Sequence, residues 1–300
     1  MLTGQKWRKM KDHYTIIVRG GGDLATGSIY YLWKSGFRVL VLEAEHPAAI
    51  RRQVSLSEAV YQKETTVEQM KAVRVESLEQ LQEVWSAGNV PVLVDPNGES
   101  IQKLHPDVLI DAIIAKKNLG TNRTMAPLTI ALGPGFCAGQ DVDYVIETKR
   151  GHNLGRVITE GMAVPNTGIP GNIGGYAKER VIHAGADGIL HNVAHIGDVV
   201  EQGQEIAYIT SDRNDKDNVS TEKPAEHYMV QASITGIVRG LIRDGYPVTR
   251  GFKIADIDPR QEELRNCFTI SDKARCIAGS VLQLVCQDFF RIFGGINDLF

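Results

Sequence analysis

The stretch RGGGDLATG, residues 19–27, decides how the first part of the chain folds. It follows the apolar run TIIV, residues 15–18, and leads directly into SIYYL, residues 28–32. Three consecutive glycines between a strand-like run and a helix-like run indicate a tight turn at which another group comes close to the backbone. The sequence therefore predicts a strand, a glycine turn and a helix that ends near Gly36.

The segments after this turn alternate between strand patterns and helix patterns. Short Val/Ile/Leu runs separated by helices are typical of a parallel sheet that is covered on both faces. We therefore expect residues 1–135 to form a Rossmann-like domain that binds a nucleotide or a phosphate group. Further strands are predicted at residues 38–43, 72–75, 90–95, 107–114 and 127–132, and a helix at 77–85.

In this context the glycine turn predicts a binding site. Gly20, Gly22 and Ala25 fit the pattern G-x-G-x-x-G/A, in which small residues let a pyrophosphate approach the main chain. Glu43 ends the second predicted strand, where an acid binds a ribose hydroxyl in that fold. The predicted cofactor-binding residues are Gly20, Gly21, Gly22, Asp23, Leu24, Ala25 and Glu43.

An alternative interpretation of the same residues stays open. Asp23 would repel a phosphate bound at the turn, although its carboxylate could instead cap the helix. The glycines would then serve only a tight turn and a close crossing of two backbone segments. If a phosphate does bind, the basic residues available to neutralise it are Arg19, Arg51, Arg52, Lys116, Lys117 and Arg123.

Residues 136–300 change to short strands separated by turns and contain an internal repeat. Residues 187–209 align without gaps on residues 235–257, and eight of the 23 positions are identical. Each copy is similar to the half-motif of the biotinyl/lipoyl barrel-sandwich hybrid. The segment between the copies is long and polar, which argues against a lysine-bearing carrier hairpin. A helix is predicted over about residues 271–293. The expected fold class is thus α/β, with a Rossmann-like parallel sheet domain followed by a β-rich barrel-sandwich domain and a C-terminal helix.

Composition narrows the range of partners. The chain has 300 residues, a formal net charge of -3 and no block of like charge, so nucleic acid is not an expected partner. No run reaches the roughly 18 apolar residues that cross a bilayer, so a membrane is not expected either. Four widely spaced cysteines without a CxxC pair argue against disulfides and structural zinc, and favour the cytoplasm.

Two residues are weak candidates for a catalytic role. Cys267 lies just before a predicted helix start, where partial positive charge favours a thiolate, and the alternative is a buried structural thiol. His152 lies in a predicted loop, where the alternative is a hydrogen bond to the main chain. The sequence has no Ser-His-Asp arrangement, G-x-S-x-G motif, P-loop, H-E-x-x-H or other metal-ligand spacing, so enzymatic activity is left open.

Several long motifs together resemble one family along nearly the whole chain. They are IIVRGGGDLATG, LIDAIIAKKNLGT, LGPGFCAGQDVDYVIETKRGHNLGRVI, NTGIPGNIGGY, the repeat, and DPR followed by TISDKA. The chain is similar in these motifs to the YqeB-like family of the selenium-dependent molybdenum hydroxylase maturation system. The resemblance implies an accessory maturation role with a molybdenum hydroxylase as client, and leaves the mechanism open.

Three functions follow for testing. The first is a maturation factor that binds a molybdopterin dinucleotide, or NAD(P), at the glycine turn and docks the client through the β-rich domain. The second is an NAD(P)-dependent oxidoreductase, which the same turn supports without a recognisable acid-base group. The third is a non-catalytic scaffold protein. A homo-oligomer is compatible with all three.

Overall fold

A computed structural model describes residues 13–165, 173–211 and 227–293. The described residues form two compact units, and each unit is discontinuous along the chain. The first unit contains residues 13–47, 54–165 and 270–293, and the second contains residues 48–53, 173–211 and 227–269.

A nine-stranded mixed sheet forms the centre of the first unit. The strands of this unit are β1 (Thr15–Arg19), β2 (Arg38–Glu43), β3 (Glu64–Val67), β4 (Met70–Val75), β5 (Val90–Val94), β6 (Val108–Asp111), β7 (Leu128–Leu132), β8 (Cys137–Ala138), β9 (Tyr144–Ile146), β10 (Val157–Ile158) and β11 (Gly161–Met162). The order in the large sheet is β10-β9-β7-β6-β1-β2-β5-β4-β3. Seven strands from β9 to β4 are parallel, whereas β3 and β10 run antiparallel at the two edges. β8 and β11 form a separate two-stranded ribbon.

Both faces of the large sheet are buried, as the continuous apolar runs require. Ile16 and Val18 of β1 pack in one core with the helices on that side, and Ile17 packs in a second core on the other side. The helices are α1 (Asp23–Lys34), α2 (Ala59–Gln62), α3 (Leu81–Ser86), α4 (Glu99–Leu104) and α5 (Asp272–Phe293), with 3₁₀ turns at Leu56–Glu58, Leu78–Gln80 and Arg123–Met125.

The C-terminal helix α5 is a core helix of the first unit. Ala274, Ile277, Val281 and Phe289 lie in the same core as the buried face of α1. The helical stretch Gln261–Phe293 is also long and apolar enough, by composition alone, to cross a membrane. Because the apolar face of α5 is buried against the large sheet, packing in a protein core explains its composition.

The second unit contains two four-stranded antiparallel sheets, and the repeat explains their arrangement. The elements are β12 (Val181–His183), β13 (Gly188–Asn192), β14 (Val199–Val200), β15 (Glu205–Thr210), β16 (Tyr228–Gln231), β17 (Gly236–Leu241), β18 (Pro247–Val248) and β19 (Lys253–Asp258), with 3₁₀ segments Lys178–Arg180 and Gln261–Cys267. Each repeat copy places two strands in one sheet and its short middle strand in the other, because β14 pairs with β17 and β18 pairs with β13. The buried faces of both sheets share one apolar core.

The predicted fold class is wrong. The sheet is mixed rather than a Rossmann-like parallel sheet, it includes strands beyond residue 135, and α5 packs on it rather than on the β-rich part. The β-rich part is two four-stranded antiparallel sheets and not a barrel-sandwich domain placed after the first. The antiparallel edge was missed because the turn between β3 and β4 contains Glu68 at φ 54° instead of the glycine or asparagine that marks such turns.

A close crossing of α1 and α5 generates the first testable prediction. A Cβ atom at Gly27 of α1 would lie 2.8 Å from the carbonyl oxygen of Ala274 in α5. We expect Gly27→Ala to lower the free energy of unfolding by about 1–3 kcal/mol, because the helices must move apart. The matched control is Gly279→Ala in α5, where nothing lies within 4 Å of the new Cβ.

The control should raise the free energy of unfolding by up to about 1 kcal/mol through helix propensity alone. Urea denaturation of both variants measures the difference. A stabilising effect of Gly27→Ala would show that this crossing does not constrain the first unit.

Candidate functional site

The glycine turn lies where the order of strands in the large sheet reverses. β1 has β2 as its neighbour on one side and β6 on the other, and the chain builds the sheet outward from β1 in both directions. In open α/β sheets, ligands bind outside the carboxyl ends of the strands at such a reversal. Gly20 to Ala25 follow β1 at its carboxyl end, so the structure places the predicted cofactor-binding residues at this position.

Two of the three glycines are required by packing and the third faces open space. Gly20 has φ 93°, and a Cβ atom there would lie 2.9 Å from the carbonyl oxygen of Ala112. A Cβ atom at Gly21 would lie 2.9 Å from the backbone nitrogen of Ser57. Among the residues that the structure describes, no neighbouring atom lies within 4 Å of a Cβ position at Gly22. The alternative of a close backbone crossing therefore explains Gly20 and Gly21 but leaves Gly22 unexplained.

The backbone N–H groups of Gly20 and Gly21 are hydrogen-bonded within the protein, whereas two N–H groups at the start of α1 have no acceptor among the described residues. The N–H of Gly20 donates to the carbonyl oxygen of Leu42 at 2.7 Å, and the N–H of Gly21 donates to Glu43 Oε2 at 2.6 Å. Gly22 precedes α1 and provides no side-chain cap. Within the described ranges, the amides of Leu24 and Ala25 in the first turn of α1 have no hydrogen-bond acceptor. Free first-turn amides are the groups with which a helix N-terminus binds an anion.

Glu43 ends β2, as the sequence predicts, and its carboxylate contacts the turn. Its two oxygens accept hydrogen bonds from the N–H of Gly21 and, at 2.8 Å, of Ala44. Burial raises the pKa of Glu43, and these two hydrogen bonds oppose that rise. The carboxylate thus orders the turn, while its contact with a ribose hydroxyl stays a prediction.

Lys273 of α5 is a cation beside the turn that the sequence analysis missed. Burial lowers the pKa of Lys273 and the nearby Arg150 adds to this, whereas the carboxylates of Asp23 and Glu147 raise it. Asp23 was the residue counted against phosphate binding, and Lys273 supplies the opposite charge next to it. Asp23 and Lys273 are 250 positions apart in sequence, and no local pattern in the motif TISDKA indicates that its lysine lies beside the glycine turn.

The loop after β9 is attached to the start of α5 by an exposed ion pair. Arg150 donates two hydrogen bonds to the carboxylate of Asp272, at 2.7 and 2.9 Å. An exposed pair of this kind contributes at most about 1 kcal/mol. His152 lies in the same loop with its side chain exposed, and its functional role stays a prediction.

Cys267 lies in the second unit and not at the glycine turn. Its thiol is buried in the core between the two antiparallel sheets. Burial raises the pKa of Cys267 even though Arg239 and Arg51 lower it. A raised pKa disfavours the thiolate, so these surroundings favour the structural alternative over a reactive cysteine.

Of the basic residues considered for phosphate contact, the arginines already have partners within the protein and the two lysines are exposed. Arg19 is buried, where it donates to Thr121 Oγ1 at 2.6 Å and lies 3.8 Å from Asp111. Arg123 pairs with Asp143, and Arg51 and Arg52 donate to backbone carbonyls of the second unit. Lys116 and Lys117 follow β6 at the same edge as the glycine turn and are exposed. In the residues that the structure describes, no group of three or more His, Cys, Asp or Glu side chains is placed to hold a metal ion.

Comparison with known proteins identifies one curated relative. No protein-family model matches the chain. The chain is 45% identical over 271 residues to "Uncharacterized protein YqeB" of Escherichia coli (strain K12), and the match covers 90% of this chain and 47% of that protein. This similarity supports the YqeB-like family. The chain spans about half the length of this relative.

Solved structures give only distant likenesses. One is the product-bound ectoine utilization protein EutE (DoeB) from Ruegeria pomeroyi, with 10% identity, a TM-score of 0.25 and coverage of 81% of this chain and 84% of that chain. Another is an aspartoacylase family protein from Mesorhizobium loti, with 10% identity, a TM-score of 0.28 and coverage of 82% and 86%. Likenesses at such TM-scores carry no inference about fold or function.

The different surroundings of Gly21 and Gly22 predict different effects of the same substitution. Gly21→Ala should lower the free energy of unfolding by about 1–3 kcal/mol, because the new methyl group meets the Ser57 backbone nitrogen. Gly22→Ala should cost no more than about 1 kcal/mol, because its φ of -67° suits alanine and the space is open, so that the cost is limited to alanine's lower preference for the position before a helix. Chemical denaturation measures both. Equal destabilisation would mean that Gly22 is also fixed by packing.

Proposed function

We propose that the chain binds the pyrophosphate group of a dinucleotide-type ligand against Gly22 and the first turn of α1. The observation that carries this proposal is the open space over Gly22, at a helix start whose Leu24 and Ala25 amides have no acceptor in the described part of the chain. Neighbouring backbone accounts for Gly20 and Gly21, whereas the uncapped helix start offers an anionic ligand free N–H donors in open space.

The electrostatics of this position suit an anion. The positive end of a helix dipole favours a negative group by about 0.3–1 kcal/mol, and by up to about 2 kcal/mol when partly buried. The ammonium group of Lys273 is partly removed from water, so an incoming phosphate restores some of the stabilisation that burial takes away. Because Asp23 already has this cation beside it, its repulsion of a phosphate is reduced.

The similarity to YqeB supports the family alone. The role proposed here, in the maturation of selenium-dependent molybdenum hydroxylases, is the one that the resemblance in the long sequence motifs implies. In this role the ligand is a molybdopterin dinucleotide, which carries the required pyrophosphate. The chain acts as an accessory protein in the cytoplasm, and the second unit docks the client hydroxylase. All four cysteines are free thiols, which is compatible with a reducing compartment.

A glycine substitution that fills the open space tests ligand binding directly. Gly22→Leu places its side chain where no described protein atom lies within 4 Å of the new Cβ, so the variant should fold. Pyrophosphate and NADH should bind to it at least roughly 100-fold more weakly, because the leucine side chain blocks the anion from the amides. The control is Gly279→Leu, an exposed glycine in α5 with equally open surroundings. Calorimetric titration measures the affinities, and wild-type affinity in folded Gly22→Leu protein would refute the proposed site.

The pH dependence of binding tests the role of Lys273. The charged form of Lys273 binds the anion, and the anion in turn raises the pKa that burial lowers. Pyrophosphate binding should therefore take up protons at alkaline pH, and the affinity should fall as pH rises through the lowered pKa of the free protein. Lys273→Arg keeps the charge and should lose this proton uptake.

Calorimetry in two buffers of different ionisation enthalpy measures the number of protons. The comparison with Lys273→Arg removes the contribution of pyrophosphate's own titration. The same proton uptake in both proteins would exclude Lys273 from the site.

A further inference from the structure

A strained backbone segment lies beside the glycine turn, directly after β6. Residues 113–117, here called the arch, follow β6 and contain two non-glycine residues with left-handed backbone, Ile114 at φ 59° and Lys116 at φ 64°. A β-branched residue such as isoleucine is rarely found there. Backbone strain of this kind persists only where the surrounding structure enforces it, and it is concentrated at functional sites.

The surroundings of the arch hold its backbone in place at both ends. A Cβ atom at Gly20 would lie 3.0 Å from the Cα atom of Ile113, so the first residue of the arch packs directly on the glycine turn. A Cβ atom at Gly135, which has φ 109°, would lie 2.7 Å from the Cα atom of Lys117. The backbones on either side of the arch are thus in contact with it.

The residues after the arch are anchored by buried polar groups. Asn118 donates to the carbonyl oxygen of Thr121 at 2.8 Å. The Thr121 hydroxyl accepts a hydrogen bond from Arg19 and donates one to Asp111 Oδ2, each at 2.6 Å. These contacts fix the return of the chain from the arch to the sheet. The arch is therefore a rigid segment at the carboxyl edge.

The arch carries two adjacent cations, for which the described part of the chain provides no partner. Lys116 and Lys117 are both exposed. In residues 13–165, 173–211 and 227–293, neither lysine side chain has an ion pair or a hydrogen bond. The arch thus begins at a contact with the glycine turn and carries two exposed lysines that have no partner among the described residues.

We infer that the arch is a cationic clamp for a second acidic group of the ligand, so that the site selects a diphosphate over a monophosphate. This inference rests on the proposed function, in which one phosphate lies at Gly22. The arch contacts the glycine turn through Ile113, and the flexible stems of Lys116 and Lys117 bring their ammonium groups to a neighbouring phosphate. Because the backbone is already ordered, less freedom is lost on binding than in a mobile loop.

The strain itself provides the test, because glycine adopts a left-handed backbone without cost. Lys116→Gly removes the strain and one cation, so the variant should unfold at a higher denaturant concentration and bind inorganic pyrophosphate about tenfold more weakly. Its affinity for inorganic phosphate should change much less. Lys117→Gln, which removes the other cation, should weaken pyrophosphate binding in the same way.

The matched control is Lys63→Gly. Lys63 is also an exposed lysine with left-handed backbone, at φ 68°, and it precedes the edge strand β3. The strand order places β3 five strands from β6, or about 24 Å at the spacing of neighbouring strands. Lys63→Gly should increase stability like Lys116→Gly and leave both affinities unchanged.

Calorimetric titration with pyrophosphate and with phosphate at constant ionic strength distinguishes the outcomes. Wild-type preference for pyrophosphate that disappears in Lys116→Gly and Lys117→Gln, but not in Lys63→Gly, supports the clamp. Unchanged pyrophosphate affinity in both arch variants overturns the clamp while the proposed function stands. If the wild-type protein binds neither anion, the proposed function fails and the clamp fails with it.

Discussion

Direct contact between the backbone of the glycine turn and the backbone after β6 is the constraint on which the first unit depends. β1 and β6 are neighbours where the strand order reverses, so the chain segments that leave them meet above the sheet edge. Gly20 allows this contact because a side chain there would collide with Ala112. The same contact directs the chain into α1 with Gly22 in front of the helix, and it places Ile113 at the beginning of the arch.

The open helix start results from this geometry together with the C-terminal helix. Neighbouring backbone atoms occupy the space beside Gly20 and Gly21, and the carboxylate of Glu43 accepts a hydrogen bond from the N–H of Gly21. Among the three glycines of the turn, Gly22 has no described protein atom within 4 Å of its Cβ position, so the position in front of α1 is open. Because α5 crosses α1 closely at Gly27, Lys273 comes next to Asp23 and changes the local charge. The sequence alone indicates that Asp23 makes the start of α1 unfavourable for an anion. In the folded chain Lys273 makes this position more favourable.

Much of the first strand, turn and helix could be predicted from the sequence, because their signals are local. The apolar run before Gly20, the position of Glu43 at the end of β2 and the internal repeat are all visible as patterns of neighbouring residues. The fold class was not predictable in the same way. The antiparallel edge strand β3 depends on a turn through Glu68, and the return of α5 to the first unit depends on packing between distant segments.

The site shows the same division between local and distant signals. The glycine residues of the proposed site are marked by their spacing in the sequence, whereas Lys273 and the strained arch are not. No sequence pattern marks a lysine that meets Asp23 through tertiary structure, and residues such as Ile114 give no sign that their backbone is left-handed.

The most direct test of the central claim is the behaviour of the backbone amides in front of and within the first turn of α1. Two-dimensional NMR of ¹⁵N-labelled protein titrated with pyrophosphate should move the amide resonances of Gly22, Leu24 and Ala25 most strongly, with slower hydrogen exchange at these amides, since they become donors to the anion. Resonances of the second unit should stay in place. Saturable shifts confined to other surfaces, or unchanged amides at residues 22–25 with pyrophosphate in excess, would contradict an anion site at this helix start.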